Sequence, residues 1–207
     1  MYTPPAFRQD DLAELHAAIR STGLATLVTA TADGLIGTPL PLILAADEGP
    51  FGTLYGHLAR ANPQATLPPV GEAMAIFAGP DAYVSPGWYP SKAEHGRVVP
   101  TWNYAAIHAY GTPEFYDDPA RLHAHVSALT ARHEVGRADP WAVTDAPEKF
   151  VASQLRGIIG LRLPIARLDG KAKFSQNRTA EDRSGAAAGL RASGNSAARA
   201  VADRIPL

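Results

Sequence analysis

The spacing of apolar and polar residues changes period several times along the chain, and each change marks an element. After Asp10-Asp11, the residues Leu12, Leu15, Ala18 and Ile19 recur at helical spacing until Gly23, which predicts a capped surface helix with one apolar face. Leu24 to Thr31 is rich in β-branched residues. Beyond Asp33-Gly34, the residues Ile36, Thr38, Leu40, Leu42 and Leu44 alternate, so a hairpin closed by a primed turn is expected. Pro39 and Pro41 cannot donate ladder hydrogen bonds, which puts the second strand at an edge or leaves it paired on one side. Thr53 to Leu58 and Glu72 to Ala78 give further strands, and Gly79-Pro80-Asp81 reads as a turn into two more. Asp117-Asp118-Pro119 predicts the start of a helix with a stripe of Leu122, Val126, Leu129 and His133, and a short helix follows from Asp145 to Leu155. Gly157 to Leu168 reads as the last long strand, ended by Asp169-Gly170 and a polar loop, Lys171 to Arg178. Thr179 caps a helix that breaks at Ser193 to Ser196 before a final Ala-rich helix. The expected fold is therefore one compact domain over residues 1–207, mainly β (α+β), with about six strands and peripheral helices.

The stretch from Pro80 to Thr112 stands out within this pattern. In Thr101 to Tyr110, alternation puts Trp102, Tyr104, Ala106, His108 and Tyr110 on one face and Thr101, Asn103, Ala105, Ile107 and Ala109 on the other. Neither face carries the charge of a solvated sheet. Either one side packs into a core while the other meets a flat ligand or second subunit, or the strand is buried and its aromatic rings fill space. Ser85 to Pro90 is a turn-rich segment with two aromatics. It leads into a polar loop carrying Lys92, His95 and Arg97, the kind of segment that holds function more often than a strand does. Where the Thr53 to Leu58 strand gives way to a helical turn, unpaired backbone N–H groups beside His57, Arg60 and Asn62 suit an anion. His57 taken alone equally reads as a hydrogen-bonded packing residue.

Composition narrows the classes. With 207 residues, 46% hydrophobic, 19% charged and a formal net charge of -1, the chain is neither disordered nor generally polybasic. The balance is uneven: seven Lys or Arg against three acids from Lys171 onward give that tail 7 − 3 = +4, a solvated face or a contact for phosphate or DNA. The absence of cysteine excludes disulfides, thiolate zinc sites and cysteine nucleophiles. His123 and His125 point about 200° apart on a helix, so they and His133 read as surface histidines rather than as a metal site. No Ser-His-Asp order, paired carboxylates or P-loop suggests hydrolysis or nucleotide triphosphate chemistry. No stretch has the roughly 18 apolar residues of a membrane span and the start lacks a signal-peptide pattern, which predicts a cytoplasmic protein.

Four ordered motifs carry a resemblance: Tyr55-Gly-His-Leu-Ala-Arg-Ala-Asn-Pro63, Ser85-Pro-Gly-Trp-Tyr-Pro-Ser-Lys92, Val99-Pro-Thr-Trp-Asn-Tyr-Ala-Ala106 and Lys173-Phe-Ser-Gln-Asn-Arg178. Together they make the chain closely similar to the PaiB family of FMN-binding negative transcriptional regulators, itself similar to the pyridoxamine-phosphate-oxidase-like split β-barrels. The resemblance implies a homodimer that holds FMN between subunits; the C-terminal helices 179–205 read as a solvated pair packed on the barrel or across the dimer. It implies Arg60 on the phosphate, Trp88 and Trp102 near the ring system, and Asn103, Gln176 and Asn177 on its polar edge, with His57, Asn62, Ser85 and Thr101 completing the cofactor-binding set. Pro39 stands where the family pattern leads one to expect a His. A flavin-dependent oxidoreductase with the same pocket, or a protein binding haem or another flat anion through His57 or His108, is the competing reading, and DNA would be met by the basic C-terminal segment.

Overall fold

A computed structural model describes residues 1–207. In chain order its elements are β1 (Arg8–Gln9), α1 (Leu12–Ser21), β2 (Ala25–Thr31), β3 (Gly34–Leu40), β4 (Ile43–Ala45), β5 (Thr53–Ala59), α2 (Pro63–Thr66) and β6 (Ala73–Val84). Then come α3 (Ser91–His95), β7 (Thr101–Gly111), β8 (Glu114–Tyr116), α4 (Pro119–Glu134), α5 (Glu148–Leu155), β9 (Ile158–Pro164), β10 (Arg167–Lys173), α6 (Ala180–Ala192) and α7 (Ser196–Ala202). They gather into two compact units, one of Met1–Ala18, Phe77–His108 and Asp169–Leu207, the other of Ile19–Ile76 and Ala109–Leu168.

In the second unit, β2 and β3 pair from Ala25↔Leu40 to Thr31↔Gly34. The expected hairpin forms, but its turn is not primed. Ala32 and Asp33 make the loop at ordinary negative φ, and the left-handed geometry falls on Gly34, at φ 121°. The Asp33 amide donates to Thr31 Oγ1 at 3.2 Å, which holds this tighter local turn. β3 ends its sheet, as expected from Pro39 within it. After Pro41 the chain switches sheets, and β4 opens the order β4-β5-β9-β8, antiparallel throughout. Leu54, Leu161, Leu163 and Leu122 are buried here, and the Tyr116 ring lies so close over Gly160 that an added Cβ would stand 2.3 Å from it. Asp118 caps α4, as expected, by accepting from the Arg121 amide at 2.8 Å.

In the first unit two expected turns are absent. β6 runs unbroken through Gly79-Pro80-Asp81, and buried positions shift there from odd (Ala73, Ala75, Phe77) to even (Ala82, Val84), the signature of a local kink. Gly79 is needed because a Cβ would meet the Ala105 side chain at 2.8 Å. Asp169-Gly170 likewise lies inside β10, where Gly170 pairs with Gln9 and leaves no room for a Cβ beside the Gln9 carbonyl. The long final strand is instead interrupted between Pro164 and Arg167. With these divisions and several strands of two or three residues, the count is ten rather than about six. On β7 the Asn103, Ile107 and Ala109 face is buried while Trp102 is exposed and Tyr104 half-buried, matching the two-sided expectation on its inner side. Thr179 caps α6 as expected, Asn195 within the expected break caps α7, and both helices close a core with Ala82, Val84, Tyr89, Leu190 and Val201. No helix is long and apolar enough to cross a membrane.

Candidate functional site

Two of the four motifs meet in the first unit. Asn103 is fully buried, its Nδ2 donates to Ser175 Oγ at 2.9 Å, and the hydroxyl returns toward Asn103 Oδ1 at 3.3 Å. Ser175 is also buried and is the one non-glycine residue at positive φ, 60°. Left-handed backbone at a side-chain-bearing residue costs of order 1 kcal/mol and persists where surrounding contacts hold it, here the Asn103 amide. Beside it Lys173 Nζ donates to Thr101 Oγ1 at 2.7 Å. Gln176 folds back on its own loop, accepting from the Phe174 amide and donating to the Ala172 carbonyl, both at 2.6 Å. Asn177 is exposed.

The aromatic candidates sit apart. Trp102 lies on the opposite face of β7, 49% exposed, with Nε1 donating to Asp81 at 2.9 Å and its ring edge-on to Tyr83. Trp88 instead packs its ring onto α6, within 2.2 to 2.5 Å of where a Cβ on Gly189 would be. Ser85 Oγ accepts from the Gly87 amide and caps the short turn leading to Trp88. Ser91, from the same motif, is anchored on the buried Asp182 carboxylate through its hydroxyl at 2.7 Å and its amide at 3.2 Å.

His57, Arg60 and Asn62 belong to the second unit, and protein groups already engage all three. Arg60 donates Nε to the Arg156 carbonyl at 2.7 Å and Nη2 to the Ile158 carbonyl at 3.3 Å, and Nη1 stands 3.4 Å from Asp117. Asn62 Oδ1 caps α2 by accepting from the Gln64 amide, and its Nδ2 donates to Thr38. His57 Nδ1 lies 3.0 Å from His125 Nε2, with the rings edge to face. This corrects the surface reading of His125, which is 6% exposed. The inward stripe of α4 includes Leu122 and His125, while His133 points to solvent. Burial first, and the neighbouring His57 second, bring the His125 imidazole down to about 4, and burial lowers His57 as well. Both rings are therefore neutral near pH 7. Helical spacing had compared His125 only with His123; its partner lies 68 positions away in sequence on β5, where His57 shares a face with Tyr55. No group of three or more His, Cys, Asp or Glu side chains is arranged to hold a metal ion.

Antiparallel sheets with peripheral helices make this an α+β protein of the fold class expected. Solved flavoproteins share the fold. The FAD and heme binding protein from Mycobacterium smegmatis aligns with a TM-score of 0.58 over 80% of this chain and 73% of its own, at 17% identity. The flavocytochrome Anf3 from Azotobacter vinelandii aligns with a TM-score of 0.58 over 81% and 69%, at 15% identity. Residues 1–167 match the family described as "Putative FMN-binding domain", and the chain belongs to that family. It is 30% identical, over 88% of its length and 85% of the relative's, to the Bacillus subtilis protein named Protease synthase and sporulation protein PAI 2, which bears out the PaiB resemblance. An uncharacterized Aspergillus fumigatus protein is 32% identical over 99% of this chain and 96% of its own.

Proposed function

We propose that the chain binds flavin mononucleotide and works as a regulator of the PaiB type. The observation that carries the binding reading is the Asn103–Ser175 lock, which joins two motifs 72 residues apart and holds the Lys173 to Asn177 loop in a strained, ordered form. Rigid polar loops of this kind are how a protein preorganises contacts to a flat polar ring. Thr101 and Lys173 with Gln176 and Asn177 supply hydrogen-bonding groups along that loop, and Trp102 on the outer face supplies an unspent aromatic surface. For Arg60 the proposed role is a phosphate contact, since its three protein bonds leave two of the five guanidinium N–H donors. The exposed Trp102 and Tyr83 rings favour a homodimer that covers this face, and light scattering giving a monomer at micromolar concentration overturns that part.

Flavin supplies the redox chemistry when bound, and the protein supplies placement and electrostatics. The test is a fluorescence titration of flavin-free protein with FMN, FAD and haem. FMN is expected to bind tightest, and Arg60→Ala to weaken it roughly tenfold to a hundredfold, by loss of a charge-assisted contact of about 1.5–3 kcal/mol. No flavin uptake overturns the reading.

The regulator role rests on the family resemblance and predicts salt-sensitive DNA binding by the purified protein. In the C-terminal segment Arg191 is paired with Asp203 at 3.0 Å and Arg183 donates to the Arg178 carbonyl, so the basic surface is reduced to residues such as the exposed Arg199. Absence of DNA binding together with flavin reduction by a nicotinamide donor decides for the oxidoreductase alternative.

A further inference from the structure

A cavity of about 300 Å³ opens in the second unit among β5, α4, α5 and the segment joining the two helices. His57, Thr130 and Gln154 are its polar groups, Trp141 and Phe150 its aromatic walls, and no Asp, Glu, Lys or Arg lines it. We propose that this cavity binds an uncharged aromatic small molecule that carries a hydrogen-bond acceptor, docked on the His57 ring. The proposal goes beyond the flavin reading, and of the residues that the resemblance implies for flavin it uses His57 alone.

Three observations define the ligand. No charged side chain is present to pair with an ionised group, so the cavity favours a neutral occupant over a flavin phosphate. Trp141 and Phe150 stay 48% and 56% exposed, so flat apolar surface at the cavity remains unused, and the volume suits one or two rings. The polarity of the anchor follows from the histidine pair. One proton is shared between His57 Nδ1 and His125 Nε2, and the far nitrogen of His125, Nδ1, is buried with no partner. If His57 donated, His125 Nδ1 would be a buried, unpaired N–H. If His125 donates, it is a bare lone pair, the less costly orphan. The second arrangement leaves the proton of His57 on Nε2, so the ring offers a donor and the ligand must accept.

The test uses the flavin-loaded full chain and calorimetry with three probes of one size: acetophenone, which has the acceptor, ethylbenzene, which lacks it, and benzoate, which is charged. Acetophenone is expected to bind about tenfold more tightly than ethylbenzene, with no binding of benzoate. His57→Phe should remove the preference while keeping ethylbenzene binding, and Val126→Phe, which fills the cavity, should abolish binding of both. Chemical-shift changes at the Trp141 indole place the probe. Equal affinities for the two neutral probes, tighter binding of benzoate, or no binding of any probe to the native chain overturns the proposal whatever the variants do. Flavin absorbance unchanged throughout separates this site from the flavin site.

Discussion

Acid should destabilise this protein through His125 in a window that the buried pair defines. The imidazole has a pKa of about 6.5 in an unfolded chain and about 4 in the folded one, depressed by burial and then by His57. Between these values the unfolded chain holds more protons, so stability rises with pH across the window. The contribution is complete above about pH 6.5 and drains away as pH falls toward 4. A shift of about 2.5 units at 1.36 kcal/mol each gives ~3 kcal/mol, an upper figure for a single group. His57, also lowered, acts with the same sign. Tyr55, Tyr116 and Arg162, each with its pKa raised, line a cavity at His125 together with Arg121. Glu48 and Glu114 pair with those arginines, so a comparator is required. The assay is urea unfolding followed by tryptophan fluorescence at pH 7.5, 6.5, 5.5 and 4.5 for the native chain and His125→Leu. At pH 7.5 the variant should be less stable by roughly 1–3 kcal/mol, because His57 Nδ1 loses its partner. By pH 4.5 the gap should have closed by about 2 kcal/mol. Parallel pH profiles, or an NMR titration in which His125 takes its proton near pH 6.5, would refute the reasoning.

Two further outcomes test the first unit. Gly189→Ala drives a Cβ into the Trp88 ring, so the ring should leave α6, red-shifting tryptophan emission, with a loss of about 1–3 kcal/mol in denaturant unfolding; unchanged emission counts against the packing described. Asp182→Ala removes the buried acceptor of the Ser91 hydroxyl and amide and should cost about 2–3 kcal/mol, whereas Ser91→Ala should cost about 1. Equal losses would mean that the carboxylate is not the anchor.

The elements easiest to read were those with chemistry at their ends. Asp118 and Thr179 announce α4 and α6 because a short polar side chain before an apolar period has one efficient use, and each accepts a helix N–H as expected. The turns inferred at Gly79-Pro80-Asp81 and Asp169-Gly170 fail for one shared reason. A glycine serves either a turn or a close approach, and here Ala105 and the Gln9 backbone occupy the space where a Cβ would go. Which use applies depends on a neighbour far along the chain, so local sequence is silent on it. The same holds for His125: its burial depends on His57 in another element. The motifs containing Asn103 and Ser175 were legible as motifs, but the hydrogen bond between them and the left-handed Ser175 backbone belong to tertiary structure alone.

The threading of the chain sets a timetable for synthesis. The second unit draws on Ile19–Ile76 and Ala109–Leu168 and holds all its residues once Leu168 has been made. The first unit must wait for its third segment, because Ala186, Leu190, Val201 and Ile205 roof Ala82, Val84 and Tyr89. At about 5–20 residues per second, the 39 residues from Asp169 to Leu207 take roughly 2–8 s to add. For those seconds the nascent chain shows an unroofed apolar sheet beside a unit free to fold, and a ribosome stalled within α6 would release a protein whose first unit has nothing to close it.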